Sequence, residues 1–171
     1  MIEINEQFDV PTAQPRVVWD LLSHPEDVVG CVPGAALGEK HEDGSFDGSI
    51  TVKFGPARVT FKARIELELD NATMSGRVTS RGKDNQGGTR FRAAMAFRVA
   101  DQAEQKGSTV FITGENEISG KLAGLVEAGA KIVVKRMSKD FAENLAAKCA
   151  GLESAPHKEV ESVSTPPQGS S

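Results

Sequence analysis

Between Arg58 and Leu69 the chain alternates without a break, RVTFKARIELEL. Val59, Phe61, Ala63, Ile65, Leu67 and Leu69 share one parity; Arg58, Thr60, Lys62, Arg64, Glu66 and Glu68 share the other. Side chains of a strand point to opposite faces with a period of two, so this segment predicts a strand with one dry face and one wet face. Parallel sheets carry crossover helices on both faces, so a half-wet sheet is antiparallel. Its dry face needs a cover.

The cover is predicted at Lys121 to Lys148, a stretch without proline whose only glycines are Gly124 and Gly129. Leu122, Leu125, Val126, Ile132, Val133, Met137, Phe141 and Leu145 recur at helical spacing, with Glu127, Lys131, Lys135, Lys139, Asp140 and Glu143 opposite. Roughly 28 residues at ~1.5 Å each make a rod of ~40 Å, enough to cross a small domain.

The remaining segments fit the same plan. Ile2, Ile4 and Phe8 mark a first strand. Thr12 is placed to cap a helix with Pro15 in its first turn and Val18, Trp19 and Leu22 on one side. A second short helix is predicted from Glu26 to Cys31, before Pro33-Gly34. Phe46, Ile50, Val52 and Phe54 then share a face, and Gly55-Pro56 is expected to interrupt as a bulge or bend. Asp70-Asn71 reads as a turn. Met74, Gly76 and Val78 point in, Gly82 to Gly88 reads as a polar turn, and Phe91, Ala93, Met95, Phe97 and Val99 point in again. Thr109 to Ile118 is a last strand of ambiguous phase, because Val110, Phe111 and Ile112 run together. The expected class is α+β: an antiparallel sheet of about seven strands wrapped around a long C-terminal helix, with two short helices after the first strand. The folded domain is expected over 1–149 and a disordered Ser/Pro-rich tail over 150–171.

Composition narrows the function. A net charge of -4 in 171 residues argues against nucleic acid as partner. The N-terminus has neither the basic nor the apolar region of a signal peptide, and no apolar run reaches the ~18 residues of a spanning helix. Cys31 and Cys149 lie outside any zinc spacing and read as thiols of a reducing cytosol. No Ser/His/acid set, HExxH motif or inward carboxylate pair is legible, and tyrosine is absent. His24, His41 and His157 read as solvated or capping residues. The inward residues fit either a filled core or a cavity for an apolar ligand. Ala63, Gly76, Ala93 and Gly114 on strands, and Gly124, Ala128, Gly129 and Ala130 on the helix, let the walls approach or leave a void.

The outward parity carries Arg58, Lys62, Arg64, Arg77, Arg81, Arg90 and Arg92. Two tight turns would set Arg64 opposite Arg77, Lys62 opposite Thr79 and Arg81 opposite Arg90. Such a face is either solvated and relieved by nearby acids, or a docking surface for an anionic membrane or protein.

Three segments carry a resemblance: Val17 to Ala35 (VVWDLLSHPEDVVGCVPGA), Val52 to Leu69 (VKFGPARVTFKARIELEL), and Gly120 to Leu145 (GKLAGLVEAGAKIVVKRMSKDFAENL). Together they resemble the CoxG family of carbon monoxide dehydrogenase subunits, within the START-like, SRPBCC helix-grip superfamily, over about residues 1 to 149. His24 departs from it, since the family usually has an acid before that proline, and the tail lacks the apolar segment of some members. The resemblance implies a cytoplasmic, non-enzymatic protein, peripheral on the inner face of the plasma membrane. Its implied ligand is a lipophilic quinone or lipid, held without covalent cofactor, and its partner a molybdenum-containing CO dehydrogenase-type complex. The expected lining is Phe54, Phe61, Ile65, Met74, Val78, Phe91, Met95, Phe97, Val126, Val133 and Met137, with Val32, Pro33, Leu122 and Leu125 at the mouth. An assembly or membrane-recruitment factor is the second reading. A cyclase-like enzyme is the third, with Glu115 and Asn116 as its polar candidates.

Overall fold

The computed structural model describes residues 1–102 and 107–154. In chain order it contains β1 (Ile2–Pro11), α1 (Pro15–Leu22), α2 (Pro25–Gly30), β2 (Ala35–Lys40), β3 (Phe46–Phe54), β4 (Ala57–Asp70), β5 (Ser75–Asp84), β6 (Thr89–Asp101), β7 (Gly107–Gly120) and α3 (Ala123–Ser154). The strands form one antiparallel sheet ordered β1-β7-β6-β5-β4-β3-β2, so first and last strands pair. This is the expected α+β architecture. β2 is the strand that no segment announced; it is short, and its Gly38 interrupts the alternation.

Turn chemistry decides the strand partners. Gly55-Pro56 is a hairpin turn, not a bulge: Phe54 pairs with Ala57, and Gly55 takes φ +64°, open to glycine at no steric cost. The β4–β5 turn spans Asn71 to Met74, because Asp70 Oδ1 accepts the N–H groups of Ala72 (3.1 Å) and Thr73 (3.3 Å). Arg64 therefore faces Arg81, four residues beyond Arg77, and Arg77 faces Glu68. β5 continues through Asp84, into the stretch expected to turn, so Arg81 faces Arg92 and Lys83 faces Arg90. Both shifts are even, so every side chain keeps its face while its neighbour changes.

The helices also differ in detail from expectation. Gln14, not Thr12, precedes α1; Thr12 has φ +64° and gives its hydroxyl to Pro11 O. α3 runs to Ser154, past the expected boundary at 149, and at ~1.5 Å per residue its 32 residues span ~48 Å. Residues 155–171 of the expected tail lie outside the described residues. Val126, Val133 and Leu145 are buried, but Ile132 is 73% exposed and Leu125 39%. Ile132 and Val133 are adjacent, ~100° apart on the helix, so only one can face the sheet.

Two dry clusters result. One gathers Val10, Val18, Trp19, Leu22, Cys31, Val99, Val110, Leu145 and Cys149 beneath α1 and the C-terminal half of α3. Both cysteines are buried thiols there, and burial pushes the Cys31 pKa up. Asn144 Nδ2 donates to Cys31 O at 2.9 Å, tying α3 to the end of α2. The other cluster packs Val52, Phe54, Val59 and Phe61 on Val126 and Val133. There Thr89 Oγ1 accepts the Leu122 N–H at 2.8 Å and Asp84 Oδ1 accepts the Thr89 N–H at 2.7 Å, which fixes the chain entering α3.

Candidate functional site

Between the two clusters lies a part of the inner face whose side chains belong to neither and stay partly accessible. α3 lies closest to β1, β3 and β7, and its backbone stands off from β4, β5 and β6. Ile65, Leu67, Val78 and Met95 all point inward on those three strands, yet each is only half-buried. Apolar side chains facing inward and left accessible line a gap.

Glycines keep the gap open. A Cβ on Gly76 would lie 2.5 Å from the Phe97 ring, one on Gly114 2.7 Å from Met95 Cγ, and one on Gly48 2.7 Å from Ile65 Cδ1. Each glycine thus lets a cross-strand neighbour lie flat on the sheet rather than project toward the helix. The small residues expected on α3 behave otherwise. Gly124 and Ala128 are exposed, and Gly129 faces the Phe54 ring, where a Cβ would sit at 3.2 Å. They line no gap.

The eleven expected lining residues divide three ways. Ile65, Val78 and Met95 face the gap. Phe54, Phe61, Phe91, Val126, Val133 and Met137 belong to the second cluster, where Phe61 and Phe91 meet edge to face at 5.5 Å. Met74 and Phe97 pack on the first cluster, Phe97 at 5.9 Å from Trp19. The four expected mouth residues do not form one opening. Pro33 shares a groove with Met137 and Asp140, with Val32 next to it in the chain, whereas Leu122 sits at the β6 end beside Thr89. From Leu125 to Met137 is ~18 Å along the helix.

Of the polar groups on the inner wall, Asn116 was among the two candidates expected from sequence, Glu115 is not on that wall, and Ser80 and Glu6 were not foreseen. One cross-strand row reads Phe46, Ile65, Ser80, Ala93, Asn116, Ile2. Ser80 continues the inward parity of Val78, and Asn116 resolves the phase of the last strand. Glu115 points outward, between Glu3 and Ala94. Asn116 Oδ1 is buried and has no hydrogen-bond partner, the one such side-chain atom among the described residues. Glu6 also faces α3 and pairs with Lys135 at 3.3 Å.

Histidine chemistry lies elsewhere. His24 Nδ1 donates to Asp20 O at 2.6 Å, and His41 Nε2 meets Asp47 Oδ1 at 2.9 Å on the far face, where that hydrogen bond holds the Asp47 carboxyl below its ordinary pKa. His157 lies outside the described residues. No cluster able to hold a metal ion occurs among the described residues, and none of their helices is long and apolar enough to cross a membrane.

The seven outward basic residues also separate. Lys62, Arg64, Arg81, Arg90 and Arg92 border one basin together with Lys83, which sequence reasoning passed over. Arg77 lies in another hollow beside Glu68 and Arg98, and Arg58 borders the groove of Pro33.

The sequence profile of CoxG, a family of carbon monoxide dehydrogenase subunits, matches residues 7–150. No curated relative matches the chain by sequence. Similar solved structures include a conserved protein from Geobacillus kaustophilus, 17% identical with a TM-score of 0.75, covering 88% of this chain and 97% of that one. Zhui aromatase/cyclase from Streptomyces sp. R1128 is 15% identical with a TM-score of 0.59, covering 88% and 94%. A START superfamily protein from Mycobacterium smegmatis is 12% identical with a TM-score of 0.55, covering 84% and 96%. The fold is START-like.

Proposed function

This chain belongs to the CoxG family of carbon monoxide dehydrogenase subunits, and from that premise we propose that it is a non-enzymatic carrier of a lipophilic small molecule, a quinone, serving a CO dehydrogenase-type molybdenum oxidoreductase. In this reading it works in the cytoplasm, collects its ligand at the inner face of the membrane and binds it without covalent attachment. The observation that carries the reading is the inner wall under β4, β5 and β6, where Ile65, Leu67, Val78 and Met95 are apolar, inward and still accessible. Burying ~350 Å² of ring and prenyl surface there would supply ~9 kcal/mol at ~25 cal/mol per Å², before the cost of ordering.

Asn116 supports a ligand with a polar head. Its amide offers an acceptor for a hydroquinone O–H and a donor for a quinone carbonyl in an otherwise apolar wall. Proton-transfer chemistry has little to use: the inward polar groups of this region are Ser80, Asn116 and Glu6, and Lys135 engages Glu6. That favours binding over a cyclase-like reaction.

Organic extraction and mass spectrometry of the purified full chain test the reading. A co-extracting quinone, or retention of an added short-chain quinone on gel filtration, is the expected result. A protein that carries no lipophile and retains none overturns it. A second expectation concerns Asn116→Leu, which removes a buried acceptor without a partner. The ligand-free variant should gain about 1 kcal/mol in urea unfolding, since an unpaired buried polar atom costs ~1–3 kcal/mol. Its quinone retention should fall. A loss of stability would mean that Asn116 is satisfied and structural.

A further inference from the structure

We propose that the outer face of the sheet carries a docking site for an extended acidic segment of a partner protein. The register places six cations in a grid of three adjacent strands and two rows: Arg64, Arg81 and Arg92 in one, Lys62, Lys83 and Arg90 in the other. Neighbouring strands lie ~4.8 Å apart and alternate residues ~6.8 Å, so the grid measures about 10 by 7 Å. It lies in a basin of about 1150 Å³, walled on one side by Ala36 and Gly38 of β2.

Folding alone gives no reason for this arrangement. Lys62 faces Lys83, Arg64 faces Arg81, Arg81 faces Arg92 and Lys83 faces Arg90, and like charges directly opposite are destabilising. Only Arg64 has a carboxylate within 4.0 Å among the described residues, Asp47 at 3.3 Å. The other five cations stay exposed, in a protein of net charge -4.

The borders of the grid select its occupant. Asp47 and Glu117 close the ends of the arginine row, and the next row of the sheet runs Glu66, Thr79, Ala94, Glu115. An anionic bilayer is a broad plane and would press on those carboxylates as well as on the cations. A compact phosphate is commonly held by unpaired backbone N–H groups at a helix end or nest, whereas this floor is sheet backbone engaged in its ladder. An extended segment with acids at alternate positions repeats every ~6.8 Å, the spacing of the two rows, and fits within the carboxylate rim. The site lies on the face of the sheet turned away from α3, so a partner held there leaves the inner gap uncovered.

Fluorescence anisotropy of the full chain with a labelled peptide of alternating glutamate and serine, at low ionic strength, tests this. Binding is expected, weakening with salt. Arg81→Glu with Lys83→Glu turns all four like-charge pairs into opposite pairs; it should weaken the peptide at least about tenfold while the melting temperature rises. Arg58→Glu with Arg77→Glu makes the same change in net charge outside the grid and should leave affinity unchanged. Equal affinity in both variants, or no binding by the wild type, overturns the proposal. Sedimentation with phosphatidylglycerol vesicles through Arg81 and Lys83, without peptide binding, overturns it in favour of a membrane surface. None of these outcomes depends on whether a quinone occupies the inner gap.

Discussion

Trp19→Ala should destabilise the protein by about 3–5 kcal/mol, the range for removing a buried large aromatic. Trp19 is 1% exposed and is the only tryptophan of the chain. Its ring centroid lies 5.9 Å from that of Phe97, and its Nε1–H donates to Asn71 Oδ1 at 2.8 Å. One side chain thus fastens α1 to β6 and to the β4–β5 turn. The turn sets the β4–β5 register, so losing the anchor loosens both ends of the contact. Trp19→Phe keeps most of the packing and loses the hydrogen bond, a change of roughly 1 kcal/mol for the bond itself. Urea unfolding followed by circular dichroism reads both variants. A cost below about 1 kcal/mol for alanine would mean that α1 is not part of the cooperative core.

The second large effect is expected at Ala93→Phe. Ala93 sits mid-row on the inner wall, with Ser80 on one side and Asn116 on the other. In a filled core, an added phenyl ring costs ~1–3 kcal/mol through strain. In an open gap it finds room, so stability should change by less than about 1 kcal/mol while retained quinone falls at least about tenfold. Strong destabilisation would show that the walls touch; unchanged quinone content would place the ligand elsewhere. Gly129→Leu is the contrasting variant, because its side chain meets Phe54 in a dry cluster and should destabilise without entering the gap.

The inward face of the sheet was legible in the sequence, whereas the membership of the candidate site on that face was legible only in part. The parity of Ile65, Val78 and Met95 put them on the inner face, and there they are. Phe54, Phe61, Val126 and Val133 share that inner side but pack against each other, and parity cannot distinguish a wall from a plug. That difference depends on where α3 crosses the sheet. Ser80 was missed because the inward series on β5 was followed only to Val78, although the same parity continues. Asn116 could be named only as one of a pair with Glu115: Val110, Phe111 and Ile112 are consecutive, so the strand containing them has no clear period of two to say which of the pair faces in. Ile132 was assigned inward because hydrophobicity shows that a residue is apolar, not which of two apolar seams meets the sheet. β2 was invisible for want of length.

What this sequence determines by itself is the face on which each strand residue lies, because alternation is a local property of the backbone that even shifts of register leave intact. It also determines that one helix must cover the dry face, since no other segment is long and amphipathic enough. What only the tertiary structure decided is who stands beside whom. A turn of four residues after Asp70, in place of two, set Arg81 beside Arg64, and the later turn after Asp84 set it beside Arg92, which turned scattered outward charges into a grid. The path of α3 along β1, β3 and β7 left Ile65, Leu67, Val78 and Met95, in the middle of β4 to β6, partly exposed. Both outcomes depend on turn geometry and helix placement, which bring distant residues together and leave no periodic trace in the chain.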